Sequence, residues 1–306
     1  MNLDPLLALT AFGIGIVVGL TGMGGGALMT PVLVLLFGVH PLAAVSSDLV
    51  ASAVMKPVGS LVHLRRGTVN GALVRWLCLG SVPAAFGGVL LARGLGTGDD
   101  VQHVVQVALG VALLVAAAGL VVRAFQRLVE RSRGLDAQAG PAPALRVRPL
   151  ATVVVGAVGG VVVGLTSVGS GSLIIIALMA LYPTLRAQQL VGTDLVQAVP
   201  LVMSAALGHL LFGDFHLDVT VALLLGSVPG VWVGARMSSR APGGVIRATL
   251  AFVLLASALK LLGVSTPDTG IALAAVLVIA PAAWTLLQRR YRPAPTDDRT
   301  PAISPA

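Results

Sequence analysis

The sequence predicts an all-α polytopic membrane protein made of two inverted-topology repeats, each with a broken or re-entrant glycine-rich helix pair, plus one extra C-terminal span. Three observations carry this prediction: the composition, a stretch of sequence that occurs twice, and the distribution of arginine. Hydrophobic residues make up 56% of the 306 residues and charged residues only 10%, with a mean hydropathy of +0.96. A soluble domain carries about 25% charged residues, so most of this surface must face lipid.

Five apolar elements are predicted in the first repeat, which we assign to residues 1–122. The element at 27–37 is too short to cross a bilayer as a straight helix, which takes roughly 20 residues. Together with 5–20 it predicts a broken or re-entrant pair, interrupted by the glycines at 22–26. The elements are 5–20, 27–37, 42–64, 72–92 and 101–122.

A basic linker is predicted at 123–149, and the second repeat, at 150–263, has the same order of elements. These elements are 149–165, 173–181, 189–211, 219–237 and 245–262, with a second break at 167–172. An extra span at 264–288 has no counterpart in the first repeat. The tail at 289–306 is rich in proline and aspartate, which predicts disorder.

The two repeats match at several positions in one register, which indicates a duplication. The pairs are Asp48 with Asp194, His63 with His209, Gly67 with Gly213, and Pro83 with Pro229. Each repeat has five elements, an odd number, so the second must be inverted relative to the first. Secondary transporters often have this plan, and their binding site lies at the midplane between the repeats.

The arginines set the predicted orientation. They cluster in the linker, in the loop after 64 and in the tail, and the positive-inside rule places these segments in the cytoplasm and the N-terminus outside. The net charge of +8 therefore reflects orientation in the lipid bilayer, and no nucleic-acid partner is expected. A single cysteine, Cys78, excludes an internal disulfide and a cysteine metal cluster.

The two breaks predict an anion site. A helix start has free backbone N–H groups and a partial positive charge, and glycine lets an anion approach them closely. Inverted symmetry would direct both starts at one point. The alternative is that the small residues only permit tight helix packing. The candidate substrate-binding residues here are Thr21, Gly22, Gly24, Gly25, Gly26, Thr166, Gly169, Ser170, Gly171 and Ser172.

Asp48 and Asp194 are the acids that fall where an apolar element begins. A carboxylate at membrane depth costs several kcal/mol or takes a proton, which makes the two a candidate coupling or gating pair. The alternative is a helix N-cap, since Ser-Ser-Asp and Gly-Thr-Asp are good cap sequences. A cap could also orient Ser47 or Thr193, which we include as candidate substrate-binding residues.

Lys56 and Gln197 complete the candidate substrate-binding set. Lys56 is one of two lysines and lies near two helical turns from Asp48, so the pair shares a face and the ammonium could bind the substrate. The alternative for Lys56 is snorkelling or an ordinary ion pair. His63 and His209 lie near element ends, where an interfacial position is expected, and we predict no metal site and no cofactor.

Gly22-Met23-Gly24-Gly25-Gly26, Pro31, Ser47-Asp48 and Gly80-Ser81-Val82-Pro83, with the weaker second copy, resemble the sulfite exporter TauE/SafE family of membrane permeases. The resemblance covers about 6–262. It implies a protein of the bacterial or archaeal plasma (inner) membrane that moves sulfite or a sulfur-containing organic anion. Ser167 and Ser170 stand where the first copy has glycines.

We therefore expect a secondary transporter of a small anion that works by alternating access, and no enzyme activity. The alternatives are an anion or water channel built on paired half-helices and, less favoured, an intramembrane enzyme using Ser170. Outward movement of one negative charge gains about 2.3 kcal/mol per 100 mV when the cytoplasm is negative. Efflux then needs no coupled ion, whereas uptake makes protons a candidate coupling ion. The sequence chooses neither the direction nor the oligomeric state.

Overall fold

The computed structural model describes residues 4–21, 25–65, 67–94, 96, 98–132, 146–185, 187–212, 215–237 and 243–291. These residues form helices joined by short connections, and no named strand occurs among them. The helices are α1 (Pro5–Thr21), α2 (Gly26–Leu36), α3 (Pro41–Arg65), α4 (Gly71–Gly94), α5 (Asp99–Ser132), α6 (Pro149–Thr166), α7 (Leu173–Leu181), α8 (Ala187–Phe212), α9 (Leu217–Met237), α10 (Gly243–Leu261) and α11 (Thr266–Arg290).

The prediction of an all-α polytopic membrane protein is confirmed. Within the described ranges, seven helices are long and apolar enough to cross a membrane. Helices α2 and α7, with 11 and 9 residues, are too short to cross alone. Each short helix follows a longer one in the chain, α2 after α1 and α7 after α6.

Helix α5 is longer than the sequence suggested. We predicted that its apolar element ends at Val122, but the helix continues to Ser132. The segment 123–132 contains neither glycine nor proline and is rich in Arg, Gln, Leu and Glu, which favour helix in water as well as in lipid. The first part of the predicted linker is therefore helical. Residues 133–145 and the tail after Tyr291 lie outside the described residues.

Two long-range crossings dominate the packing. Helix α4 of the first half packs along α6 of the second, and α1 packs along α9. Helices α3 and α8 pack against each other in the centre, where Val45, Leu49 and Leu201 are fully buried. The first helix of each half thus packs on the fourth helix of the other half. This arrangement places both breaks beside α3.

Glycines set how closely these helices approach, and they do so at matching positions. A Cβ added at Gly80 on α4 would lie 2.1 Å from the Val153 carbonyl oxygen, and one at Gly226 on α9 would lie 2.0 Å from that of Ala8. Gly80 matches Gly226 in the register of Pro83 and Pro229, and Ala8 matches Val153 as Thr21 matches Thr166. The paired contacts fit a twofold relation between the halves, while the inverted orientation stays a prediction.

Replacing Gly80 with alanine is expected to destabilise the protein by about 1–3 kcal/mol, because the added methyl group meets backbone that cannot move aside. The thermal unfolding midpoint in detergent, followed by tryptophan fluorescence, measures this loss. Gly87→Ala on the same helix is the matched control, since nothing lies within 4 Å of a Cβ added there. Equal midpoints for the two variants would show that the crossing tolerates wider spacing.

Candidate functional site

Asp48 joins the two halves at their breaks. Its carboxylate is fully buried on α3. Its Oδ2 accepts a hydrogen bond from Thr30 Oγ1 on α2 at 3.2 Å and a short one from Ser167 Oγ in the second break. One carboxylate oxygen therefore bonds to the short helix of one half and to the break of the other.

The backbones of the two breaks also touch. A Cβ on Gly26, the first residue of α2, would lie 2.2 Å from the Ser167 carbonyl oxygen. The neighbouring Gly25 faces Asp48 Oδ1 and the Met55 side chain, at 3.7 and 3.4 Å from its added Cβ. Gly22 and Gly24, which we also placed in the site, lie outside the described residues. The described ends of the two breaks, at Gly26 and Ser167, are in direct contact.

Lys56 places a positive charge where the breaks meet. Its side chain is only 7% exposed, and Nζ donates a hydrogen bond to Ser170 Oγ at 2.5 Å. The ammonium interacts electrostatically with Asp194 and, less strongly, with Asp48. This position argues against snorkelling, since the charged end of Lys56 points into the protein.

The Asp194 carboxylate is stabilised by hydrogen-bond donors and by positively charged side chains. Its Oδ1 accepts a hydrogen bond from Gln197 Nε2 at 3.1 Å, and the backbone N–H of Gly171 also bonds to the carboxylate. Gln197 Oε1 in turn accepts from Ser81 Oγ at 3.2 Å. Arg123 attracts the carboxylate and donates to the Gly171 carbonyl oxygen at 2.8 Å.

The N-cap interpretation of the two aspartates is wrong. Helix α3 begins at Pro41 and α8 begins at Ala187, so Asp48 and Asp194 lie about two turns inside their helices. Neither carboxylate can satisfy the first amides of its helix from that position. Both are buried acids in helix interiors, which the membrane makes expensive unless they have a function or a partner.

The second break has a backbone that depends on small residues. Ser167 has φ 59°, Gly169 φ 134° and Gly171 φ 97°, a region that side chains rarely adopt. The amides of Ser172, Leu173 and Ile174 all bond to the Gly169 carbonyl oxygen, at 3.3, 3.0 and 3.3 Å. We expected such amides to be free for an anion. In this conformation they are engaged, so side chains form the accessible donors.

Several predicted residues have other partners. Thr21 Oγ1 donates to the Val17 carbonyl oxygen at 2.8 Å, and Thr166 Oγ1 donates to that of Val162 at 2.6 Å. Thr193 Oγ1 accepts from the Asn70 amide at 3.0 Å, just before α4. Ser47 Oγ is buried without a hydrogen-bond partner in the described part of the chain. These hydroxyls stabilise helix ends or face away from Lys56.

His209, for which we expected an interfacial position, is buried inside the protein near the end of α8. Its side chain is fully buried, with Nδ1 2.8 Å from Ser46 Oγ on α3 and Nε2 2.8 Å from the Gly164 carbonyl oxygen on α6. His63 is half-buried and contacts Thr68 Oγ1 at 3.0 Å. His209 ties three helices together, because packing decides burial and the nearness of a helix end does not.

Four side chains at the site were absent from our candidate set. Ser81 had a usable signal, since the sequence Gly-Ser-Val-Pro occurs in both repeats. Ser167 was noted only as a replacement for glycine, and Thr30 lies one turn into the short α2 helix. Nothing in the sequence marked Arg123 as a site residue, because it is the first of several arginines in a segment that resembles a solvent-exposed linker. These residues are Thr30, Ser81, Arg123 and Ser167.

Comparison with known proteins finds a matching family and two similar transporters. Residues 7–261 match the family model described as sulfite exporter TauE/SafE. The chain is 38% identical over 254 residues to the probable membrane transporter protein YjnA of Bacillus subtilis (strain 168), covering 81% of this chain and 96% of that protein. It is 25% identical over 247 residues to the probable membrane transporter protein YdhB of the same organism, covering 80% and 94%. No solved structure gives a significant match.

Proposed function

Because the chain belongs to the sulfite exporter TauE/SafE family of membrane transporters, we propose that it carries a small anion, either sulfite or a sulfur-containing organic anion. The substrate binds where the two breaks meet, and its partners are Lys56 and Ser170. The direction of transport follows the gradients and is not fixed by the residues of the site.

The observation that carries this proposal is the position of the Lys56 ammonium. It is buried at the contact of the two breaks and bonds to Ser170. A buried ammonium with hydroxyl donors around it suits an oxyanion, because charge-assisted hydrogen bonds are strong away from water. The anion would replace the Ser170 hydroxyl as acceptor and take hydrogen bonds from Ser170 and from the neighbouring hydroxyls.

Alternating access follows from the exchange of helices between the halves. Since α1 packs on α9 and α4 on α6, a rotation of one such pair against the other would open the site first to one side and then to the other. The almost complete burial of Lys56 and Ser170 supports a carrier in an occluded conformation and disfavours a water-filled channel. The plasma (inner) membrane, with the linker and C-terminus in the cytoplasm, is the location and orientation we propose.

An intramembrane hydrolase would need a base beside Ser170, and the structure does place Lys56 Nζ there. In the structure Nζ donates a hydrogen bond to Ser170 Oγ, whereas a base would have to accept the hydroxyl proton. The amides that would stabilise an oxyanion, those of Ser172, Leu173 and Ile174, bond to the Gly169 carbonyl oxygen. The Ser170–Lys56 pair therefore suits ligand binding better than acyl transfer.

A flux assay tests the proposal. The purified full chain in liposomes is expected to carry sulfite or sulfoacetate with a rate that saturates as the concentration rises, and to leave sulfate and chloride behind. Saturation follows because a buried site must be occupied and then released in each cycle. Linear, unselective flux of all four anions would instead identify a channel, and absence of flux would contradict anion transport.

A further inference from the structure

The two buried aspartates differ in how fully their oxygens are bonded. Asp194 Oδ1 accepts from Gln197, and the Gly171 amide bonds to the same carboxylate. Asp48 Oδ2 accepts from Thr30 and Ser167, whereas Asp48 Oδ1 is buried and has no hydrogen-bond partner in the described part of the chain. An unpaired buried carboxylate oxygen is expensive, so something other than these side chains is expected to occupy its free lone pairs.

The repeat explains where the missing partner would lie. In the register that pairs Asp48 with Asp194, Gln197 matches Ala51 and Ser81 matches Ser227. The Gln197 amide bridges Asp194 Oδ1 and Ser81 Oγ, donating to the first and accepting from the second. Ala51 has no such group, and Ser227 Oγ, like Asp48 Oδ1, is buried and unpartnered among the described residues. Asp48 and Ser227 therefore correspond to the two partners of Gln197, but Ala51 provides no side chain that could connect them.

Helix packing differs between the two halves at this place. Helix α8 packs closely on α4, with Gln197 and Ser204 of α8 contacting Ser81 and Val82 of α4. The matching pair, α3 and α9, makes a less extensive contact. Ala51 is fully buried among apolar side chains, and its methyl group can bond to neither Asp48 Oδ1 nor Ser227 Oγ.

The charges at the site indicate a role for the unbonded oxygen Asp48 Oδ1 in compensating the charge of a bound anion. Asp48 and Asp194 carry two negative charges, and Lys56 and Arg123 two positive charges, so the four groups formally cancel. A bound monoanion would leave one uncompensated negative charge in a low-dielectric region, which costs several kcal/mol. One proton on the Asp48 carboxylate would restore neutrality at the moment the anion binds.

We propose that Asp48 Oδ1 takes up one proton for each anion carried, while Asp194 carries none. A proton from the aqueous phase bonds to Oδ1 and converts the carboxylate to a neutral carboxylic acid. Its release on the other side restores the carboxylate. Asp194 Oδ1 already accepts a hydrogen bond from the Gln197 amide, which stabilises the charged carboxylate. This inference rests on the proposed anion transport and adds the coupling ion and its site.

Other charged groups near Asp48 are few in the described part of the chain. Lys56 acts on it from the same helix, Asp194 on α8 also attracts Lys56, and Arg123 on α5 attracts Asp194. His209 on α8 contacts Ser46, two residues before Asp48 on α3. Helix α2 and the second break give Asp48 hydroxyl donors, from Thr30 and Ser167.

The experiment places at position 51 the side-chain amide that Gln197 supplies in the other half. Ala51→Gln is expected to bridge Asp48 and Ser227, so that proton movement into liposomes, read with an enclosed pH-sensitive dye, falls from about one per sulfite to near zero. Sulfite flux in this variant would then respond to membrane potential, because uncompensated charge crosses. Ala72→Gln, the same substitution at an exposed position of α4, is the control and is expected to keep the wild-type ratio of protons to anions.

Asp48→Asn keeps the shape of the side chain and is a second route to the same answer if Ala51→Gln does not fold. It is expected to carry sulfite slowly, without protons and with a flat pH profile. Proton movement at the wild-type ratio in Ala51→Gln or in Asp48→Asn would overturn the inference, and so would its loss in Ala72→Gln. Wild-type sulfite flux without protons would overturn the inference alone, whereas absence of any anion flux would contradict the proposed function itself.

Discussion

Replacing Lys56 with methionine is expected to abolish anion flux. Methionine keeps most of the length and apolar stem of lysine, so the change removes the ammonium that bonds to Ser170. Losing one partner of a buried, charge-assisted hydrogen bond costs about 2–5 kcal/mol of binding, or roughly 30- to 4,000-fold in affinity. Sulfite uptake into liposomes at several concentrations measures the loss.

The other lysine of the chain supplies the control. Lys260 lies at the end of α10, and its Nζ donates to Thr266 Oγ1 in an exposed position. Lys260→Met removes the same charge from the same chain, and wild-type flux is expected. Thermal unfolding of both variants separates a binding defect from a folding defect, because Lys56→Met also leaves Asp194 and Asp48 without their cation. Flux at the wild-type level in Lys56→Met would rule out this ammonium as the partner of the anion.

Gly26→Ala is expected to separate the two breaks. The added Cβ would lie 2.2 Å from the Ser167 carbonyl oxygen and 2.6 Å from its Oγ, which is too close for either atom to remain in place. Ser167 Oγ bonds to Asp48, so the site loses that contact. A displacement of about 1 Å at a positioned site lowers turnover by roughly 100-fold, and the same flux assay reads this drop.

The neighbouring glycine, Gly25, provides the control variant for Gly26→Ala. Gly25 has φ −58°, and a Cβ there would meet Met55, Asp48 and Ser52 at ordinary distances of 3.4 to 3.9 Å. Gly25→Ala is therefore expected to retain the thermal stability of the wild type, while Gly26→Ala is destabilised by about 1–3 kcal/mol. If the two variants were equally stable and equally active, the contact between the breaks would have no importance for transport.

The helices could be predicted from the sequence because lipid makes hydrophobicity an unambiguous signal. The bounds of α2 and α7 followed from short apolar runs after glycine-rich breaks, and their shortness already indicated broken pairs. The end of α5 was missed because hydropathy reports where a helix leaves lipid, and the helix continues in water to Ser132. The pairing of α1 with α9 and of α4 with α6 was not predicted at all, since periodicity says nothing about long-range partners.

The site was predicted in outline and missed in detail for a related reason. Duplication pointed to Asp48 and Asp194, and rarity pointed to Lys56, but their partners depend on which helices meet. Arg123 reaches Gly171 because α5 continues past the predicted apolar element, which ends at Val122. The bonded amides of α7 depend on the backbone of Gly169 and Gly171, and no pattern of residue types specifies that geometry.

The crossing of α1 with α9 has a consequence for biosynthesis. Helix α1 enters the membrane first, yet its main packing partner, α9, begins at Leu217 and is made after seven intervening helices. Until then the face of α1 that carries Gly15 lacks the α9 backbone that it packs against in the folded protein. The nascent chain therefore completes its assembly late, and a ribosome that stalls before α9 leaves behind a partly inserted protein that quality-control proteases can recognise.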